Sequence, residues 1–322
     1  MQGLVTVFGG SGFVGAQVVR ALAKRGYRVR VAVRRPGHAY RMRMLGDVGQ
    51  IEVVQANVRA PESIARALSG AEACVNLVGV LYEGGRQKFQ SLHAMGARNV
   101  AEAAAAAGVG RLVQISAIGA DAESEAKYAR TKALGEAAVR EAFPAATILR
   151  PSIVFGRDDH FFNRFGQMAT LSPVLPLIGG GETRFQPVFV GDVAAAVAIA
   201  VADASTAGRT YELGGPAVYS FKALMQLMLR EIDRKRILLP IPFPVARVIG
   251  ALAEVPSALL PIPPLLTADQ VELLRSDNVV TAGALGLADL GIEPTAVEAI
   301  IPSYLFRFRK GGQYAEALAS GV

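Results

Sequence analysis

The chain has 322 residues, 52% of them hydrophobic and 19% charged, with a formal net charge of +7. That length suits two compact units of roughly 150 residues, and so apolar a composition excludes disorder along most of the chain. One cysteine, Cys74, rules out an internal disulfide, and with only His38, His93 and His160 beside it no metal site is expected.

Short β-branched runs alternate with helix formers through the first half, predicting strands over 4–8, 29–33, 51–55, 73–77, 111–115 and 147–149. Helices are predicted between them over 14–25, 61–68, 89–107 and 125–142, ended by glycines such as Gly26, Gly70 and Gly108. Strands that alternate with helices form a parallel sheet covered on both faces, and right-handed crossovers make it doubly wound, with ligands at the carboxyl ends of its strands. The expected fold class is α/β: a doubly wound parallel Rossmann sheet with a smaller, helix-rich second domain. The first strand starts so early that the chain as given leaves no room for a signal or transit peptide. No span of a membrane is expected, because 193–202 is too short and the uncharged run 165–181 contains Pro173 and Pro176.

The first strand runs into Gly9-Gly10-Ser11-Gly12-Phe13-Val14-Gly15. Gly9 permits a sharp exit, Gly12 removes a side chain where a diphosphate must approach the backbone, and Gly15 lets the helix pack close to the sheet. The positive end of the following helix then faces the diphosphate. After the second strand, where an NAD site places an acid for the ribose hydroxyls, stand Arg34 and Arg35. They belong to a run of nine Lys or Arg between Arg20 and Arg43 that meets no acid before Asp47. A guanidinium pair suits the 2′-phosphate of NADPH, which is therefore the expected coenzyme. Asn57 after the third strand is positioned for an adenine edge, and Leu77-Val78-Gly79 after the fourth for the ribose and diphosphate.

Tyr128 and Lys132 lie four apart on one helical face, where an ammonium is expected to lower the tyrosine pKa and make it a proton donor or acceptor beside a nicotinamide. Such a spacing arises by chance in roughly one chain of this composition in six, so its place after the fifth strand is what makes it telling. Ser116, at the end of that strand, is the candidate for orienting a carbonyl.

After Pro151 proline and glycine increase. A nucleotide-binding domain is expected over 1–155, with a return at about 187–215 through a helix over 193–201, capped by Asp192, and a strand over 209–213. The smaller domain takes 156–322. Within it 244–260 reads as an amphipathic helix with Val245, Val248, Ile249 and Leu252 on one side and Arg247 and Glu254 on the other. Pro256, Leu259, Leu260, Pro261, Ile262, Pro263, Pro264, Leu265 and Leu266 follow, so the stretch 244–266 either folds onto its own core or meets a membrane or partner. Residues 304–310 mix aromatics with positive charge, as interfacial segments do. Nucleic acid is not expected as a partner, because the coenzyme phosphate accounts for the richest basic cluster.

Together the glycine turn, Ser116, Tyr128-x-x-x-Lys132 and Leu149-Arg150-Pro151-Ser152-Ile153-Val154-Phe155-Gly156 resemble the extended or atypical short-chain dehydrogenase/reductases. That resemblance assigns Pro151, Ser152 and Ile153 to the nicotinamide side and gives Ser116, Tyr128 and Lys132 catalytic roles, vestigial where turnover is lost. One departure is Ala117, where active members commonly carry a second hydroxyl. A closer similarity, through residues 127–136, 155–159, 161–165, 186–193, 238–242 and 289–292, is to the NADPH-binding accessory subunits of respiratory complex I. It implies tightly held NADPH without turnover, other complex I subunits as partners, and a peripheral site on the cytoplasmic face of a bacterial inner membrane or the mitochondrial matrix side. The alternative is a soluble NADPH-dependent reductase, epimerase or dehydratase.

Overall fold

The structure, a computed structural model, describes residues 2–85, 87–259, 264 and 266–312, excepting the side chains of 2 and 255–259. In chain order β1 (Gln2–Phe8), α1 (Phe13–Lys24), β2 (Tyr27–Val33), β3 (Ile51–Gln55), α2 (Pro61–Leu68) and β4 (Ala73–Asn76) come first. Next are α3 (Met95–Ala106), β5 (Arg111–Ile115), α4 (Lys127–Ala142), β6 (Thr147–Pro151), β7 (Val154–Phe155), α5 (Phe162–Leu171) and β8 (Val174–Ile178). The chain continues with β9 (Arg184–Phe185), β10 (Val188–Phe189), α6 (Val190–Ala202), β11 (Thr210–Leu213), β12 (Tyr219–Ser220), α7 (Phe221–Glu231) and β13 (Ile237–Ile241). It closes with α8 (Phe243–Leu259), α9 (Ala268–Leu273), α10 (Val297–Ile300) and α11 (Pro302–Leu305).

Two compact units result. The first comprises Met1–Pro151, Gly191–Leu213 and Thr281–Glu293. It holds a seven-stranded sheet in the order β11-β6-β5-β4-β1-β2-β3, every pair parallel. Val5, Val7, Val29, Val31, Cys74, Val75 and Val113 are fully buried, as near-continuous apolar strands are when helices cover both faces. The order reverses between β1 and β4, which opens a crevice at their carboxyl ends. Two expectations change here. The stretch 89–107 does not form one α-helix: Gln90–Ala94 is a π turn, and α3 starts only at Met95. Asp192 does not cap α6, which starts two residues before it and places Asp192 in its first turn.

The second unit comprises Ser152–Val190, Gly214–Val280 and Pro294–Val322. Three short strand pairs, β7 with β10, β9 with β12 and β8 with β13, frame an aromatic core in which Phe161 touches Phe162, Phe165, Phe185 and Phe221. Asp159 is buried here and accepts from the amides of Gly156 and Asn163 and from the Tyr304 hydroxyl at 2.6 Å. Desolvation still holds its pKa above the usual carboxylate range.

The stripe on α8 does not fold onto its own core. Among the described side chains of α8, Ala246 and Gly250 are the buried positions, and a Cβ at Gly250 would sit 2.9 Å from the Thr267 and Ala268 backbone, so small residues let the helix approach α9 closely. Val248 and Leu252 consequently point outward, 60% and 66% exposed. Of the apolar residues that follow, Leu260, Pro261, Ile262, Pro263 and Leu265 lie outside the described residues, as do the side chains of Pro256 and Leu259. The segment 304–310 is likewise not laid out for an interface: Tyr304 and Leu305 are buried, and the Phe308 ring packs against Gly166. Among the described residues no helix is long and apolar enough to cross a membrane.

Candidate functional site

Strand register gathers the predicted site residues of the first unit along one sheet edge. Phe8 stands beside Ala32 and Asn76, Asn76 beside Gln114, and Ile115 beside Leu149, so the segments that leave β1, β2, β4 and β5 emerge together. Gly9 leaves β1 at φ +80°, a conformation that favours glycine, and its carbonyl accepts the Gly12 amide at 3.1 Å. A Cβ on Gly15 would lie 2.3 Å from that same carbonyl, so Gly15 is needed by the turn itself. Close packing on the sheet falls to Gly10 instead, whose Cβ would lie 2.9 Å from Val31. At Gly12 a Cβ would meet only the Gly9 carbonyl, at 3.4 Å, and Gly12 is exposed. No side chain caps α1 there, and the first helical amides, at Phe13, Val14 and Gly15, have no carbonyl within the helix to bond. Ser11 is half-buried beside them. The turn is a cradle with open donors and no side chain in the way.

Arg34 and Arg35 follow β2 directly, are exposed, and make no side-chain hydrogen bond or ion pair among the described residues. Their neighbours differ. Arg30 is committed to Glu52 and to the carbonyls of Ala67 and Ser69, and Arg25 to the carbonyl of Ala198. Asn57 Oδ1 accepts the Arg59 amide at 3.1 Å, which leaves its amide nitrogen and a second lone pair for other partners. The Leu77-Val78-Gly79 exit is fixed by buried Asn76, which accepts from the Val78 amide and donates to Gln114.

Beyond that exit the side chains of Ser116, Tyr128 and Lys132 join a residue that sequence reasoning missed, His93. The Lys132 Nζ donates to the Ile115 carbonyl at 3.4 Å and lies 3.3 Å from where a Cβ of Gly79 would be, which explains a glycine at that position. Burial lowers its pKa to about 8, with Glu136 opposing the shift. His93 is buried, accepts the Val80 amide on Nε2 and contacts the Thr131 hydroxyl through Nδ1 at 3.2 Å. Desolvation and the Lys132 ammonium push its pKa down to about 3. The imidazole is therefore neutral, and with Nε2 accepting, the proton sits on Nδ1. The Tyr128 ring is held edge-on to both Phe89 and His93, with centroids 5.8 and 5.3 Å away.

Tyr128 does not show the expected lowered pKa. Burial pushes it up to about 12, and the Lys132 ammonium lies 5.8 Å from the ring centroid. Its hydroxyl keeps its proton at neutral pH and can only donate it. Ser116 Oγ is buried without a hydrogen-bond partner among the described residues, an arrangement that costs free energy unless a ligand supplies one.

Behind α4 a buried ion network sets that helix on the sheet. Arg150 of β6 donates two bonds to Glu136 at 2.8 and 2.7 Å and reaches Glu212 of β11 at 3.4 Å. Glu212 in turn accepts the Thr281 amide. Pro151 ends β6 with its carbonyl bonded to the Ile118 amide, but Ser152 and Ile153 belong to the second unit. There the Ser152 hydroxyl is engaged with Asn278 and the Ile153 carbonyl with the Val188 amide.

Residues 5–214 match the NAD dependent epimerase/dehydratase family. Relatives at nearly full length include the mitochondrial NADH dehydrogenase (ubiquinone) 1 alpha subcomplex subunit 9 of Arabidopsis thaliana, 36% identical over 97% of this chain and 80% of that one. The NADH-ubiquinone oxidoreductase 40 kDa subunit of Neurospora crassa is 31% identical over 96% of this chain and 80% of its own. A ceramide reductase of Caulobacter vibrioides is 33% identical over 86% of each. Among solved structures, the triphenylmethane reductase of Citrobacter sp. superposes with a TM-score of 0.75 at 22% identity, covering 94% of this chain and 99% of that one, a likeness of fold.

Proposed function

This chain belongs to the NAD dependent epimerase/dehydratase family, and from its likeness to complex I subunits we propose that it is a non-catalytic, NADPH-holding accessory subunit of respiratory complex I. It is an NAD(P)-binding chain of Rossmann fold. The observation that carries the subunit reading is that identity to complex I subunits extends through both units, over 97% of the chain in the Arabidopsis relative. In this reading the second unit meets other complex I subunits on the peripheral arm, and the outward stripe of α8 faces a partner or the membrane surface.

The residues present fit the coenzyme. Gly12 and the first amides of α1 would hold the diphosphate, Arg34 and Arg35 the 2′-phosphate, and Ser116 and Lys132 the nicotinamide ribose side. When bound, NADPH supplies a hydride donor, and with no acceptor presented it acts as a structural ligand. A ligand that binds only the folded state stabilises it by roughly 4 kcal/mol at a thousandfold excess over its dissociation constant. Ala117 offers no second hydroxyl to polarise a carbonyl, and a tyrosine hydroxyl held protonated up to about pH 12 is no base at neutral pH.

A second reading, an NADPH-dependent reductase, is favoured by one arrangement: Ser116, Tyr128 and Lys132 are all retained beside the coenzyme cradle. There Tyr128 would donate its proton to a carbonyl oxygen oriented by Ser116. Fractionation of native membranes separates the two. The chain is expected to comigrate with NADH:ubiquinone oxidoreductase activity and to release NADPH when denatured; migration apart from that activity refutes the subunit reading.

A further inference from the structure

At the C-terminal end of α7 the second unit has a cavity of about 770 Å³ whose lining includes Arg230, Arg234, Lys235 and Arg236. Four cations in one cavity repel each other, and among the described residues none of them makes an ion pair. Arg309, by contrast, has Glu231 at 3.7 Å. Two carboxylates share the lining. Glu298 is occupied by the Tyr219 hydroxyl, whose pKa burial and that carboxylate push up to about 12, and Asp233 pairs with nothing among the described residues. Positive charge is left in excess.

Two of the guanidinium groups are already fixed in place. Arg234 donates through Nε to the Phe308 carbonyl at 2.8 Å, and Arg236 through Nε to the Ala169 carbonyl at 2.7 Å and through Nη1 to the Lys235 carbonyl at 2.8 Å, which leaves Arg234 the freer of the two. A guanidinium held by Nε loses little further freedom when its terminal nitrogens take up an anion. The helix end does not oppose this. Asp233 adopts φ +47°, and the Asp233 and Arg234 amides bond the carbonyls of Arg230 and Leu229, so the last carbonyls of α7 are satisfied and the turn presents its cationic side chains. Leu227 and Leu238 line the same cavity with apolar surface.

We propose that this cavity binds a phosphate ester, its phosphoryl oxygens held by Arg230, Arg234 and Lys235 and its carbon portion resting on Leu227 and Leu238. A tetrahedral dianion bridges several guanidinium and ammonium donors at once, which a single carboxylate does not, and a cavity of this size holds more than a bare ion. The assignment stands independently of the coenzyme in the first unit.

The test uses the full chain and two phosphate sources. Calorimetry measures inorganic pyrophosphate, and flotation measures phosphatidylcholine vesicles with and without phosphatidic acid. Arg230 and Lys235 are exposed and make no side-chain bond among the described residues, so the double variant Arg230→Ala with Lys235→Ala leaves the packing intact. It is expected to weaken binding of at least one probe by about tenfold or more while NADPH affinity stays unchanged. Loss confined to pyrophosphate points to the phosphoryl group of a soluble compound, and loss confined to acidic vesicles to a lipid headgroup. The proposal is overturned if neither probe binds, if the double variant binds like the parent, or if only Arg34→Ala with Arg35→Ala abolishes binding. That last result would assign the anion to the coenzyme site.

Discussion

Replacing Lys132 by methionine should stabilise the coenzyme-free protein. Burial holds the ammonium at a pKa of about 8 against an ordinary 10.5, a difference of about 2.5. At 1.36 kcal/mol per unit that is about 3 kcal/mol of instability. Its pH window follows from proton counts. Below pH 8 both folded and unfolded chains carry the proton, and the folded state bears the whole penalty of a buried charge. Between pH 8 and 10.5 the folded chain has released its proton and the unfolded chain has not, so stability rises with pH. Above 10.5 both are neutral and the penalty is gone. Methionine fills similar volume without charge, and the Ile115 carbonyl keeps its bond from Gln114 Nε2 at 2.9 Å, so no buried acceptor is orphaned. Loss of the weak 3.4 Å bond offsets about 1 kcal/mol, leaving a gain of about 2 kcal/mol. Urea unfolding of parent and variant at pH 7 and pH 10 measures it. A variant less stable than the parent at pH 7, or a gap that fails to narrow by pH 10, refutes the assignment of a desolvated ammonium.

Two further substitutions probe the cradle. Arg34→Ala with Arg35→Ala should weaken NADPH by about tenfold to a hundredfold and leave NADH nearly untouched, as fluorescence titration would register; equal losses contradict the 2′-phosphate assignment. Gly12→Ala and Gly15→Ala should separate binding from folding. The first meets only a 3.4 Å neighbour and should keep the parent melting temperature while NADPH affinity falls, whereas the second drives a Cβ to 2.3 Å from the Gly9 carbonyl and should lower both. Parallel behaviour of the two glycine variants would show that Gly12 also serves the turn.

Local pattern was enough for several elements of the first unit. β3, β5 and α2 fall at the boundaries predicted for them, because alternating burial and a proline at the first helical position are signals that neighbours in sequence carry. What escaped depends on partners distant in sequence. The π turn that brings His93 under Tyr128 and beside Thr131, 38 residues on, has no periodicity of its own. The Tyr304 to Asp159 bond spans 145 residues, and it turns inward a segment whose composition pointed outward. On α8 hydrophobic periodicity identified the helix but not its buried face, because the close approach at Ala246 and Gly250 selects for small residues. The tyrosine pKa was misjudged because spacing places a lysine on the right face but says nothing of the burial that pushes the hydroxyl the other way.

The return of the chain to the seven-stranded sheet bears on how the protein is made. Arg150 sits on β6, but one of its carboxylate partners, Glu212, arrives with β11, and that carboxylate is itself held by the Thr281 amide. A ribosome must therefore synthesise most of the second unit before the nucleotide-binding unit can close its last edge. Until residue 281 emerges, the nascent sheet carries an unfinished margin and Arg150 has Glu136 but not a fixed Glu212 beside it, so the first unit is completed late in synthesis.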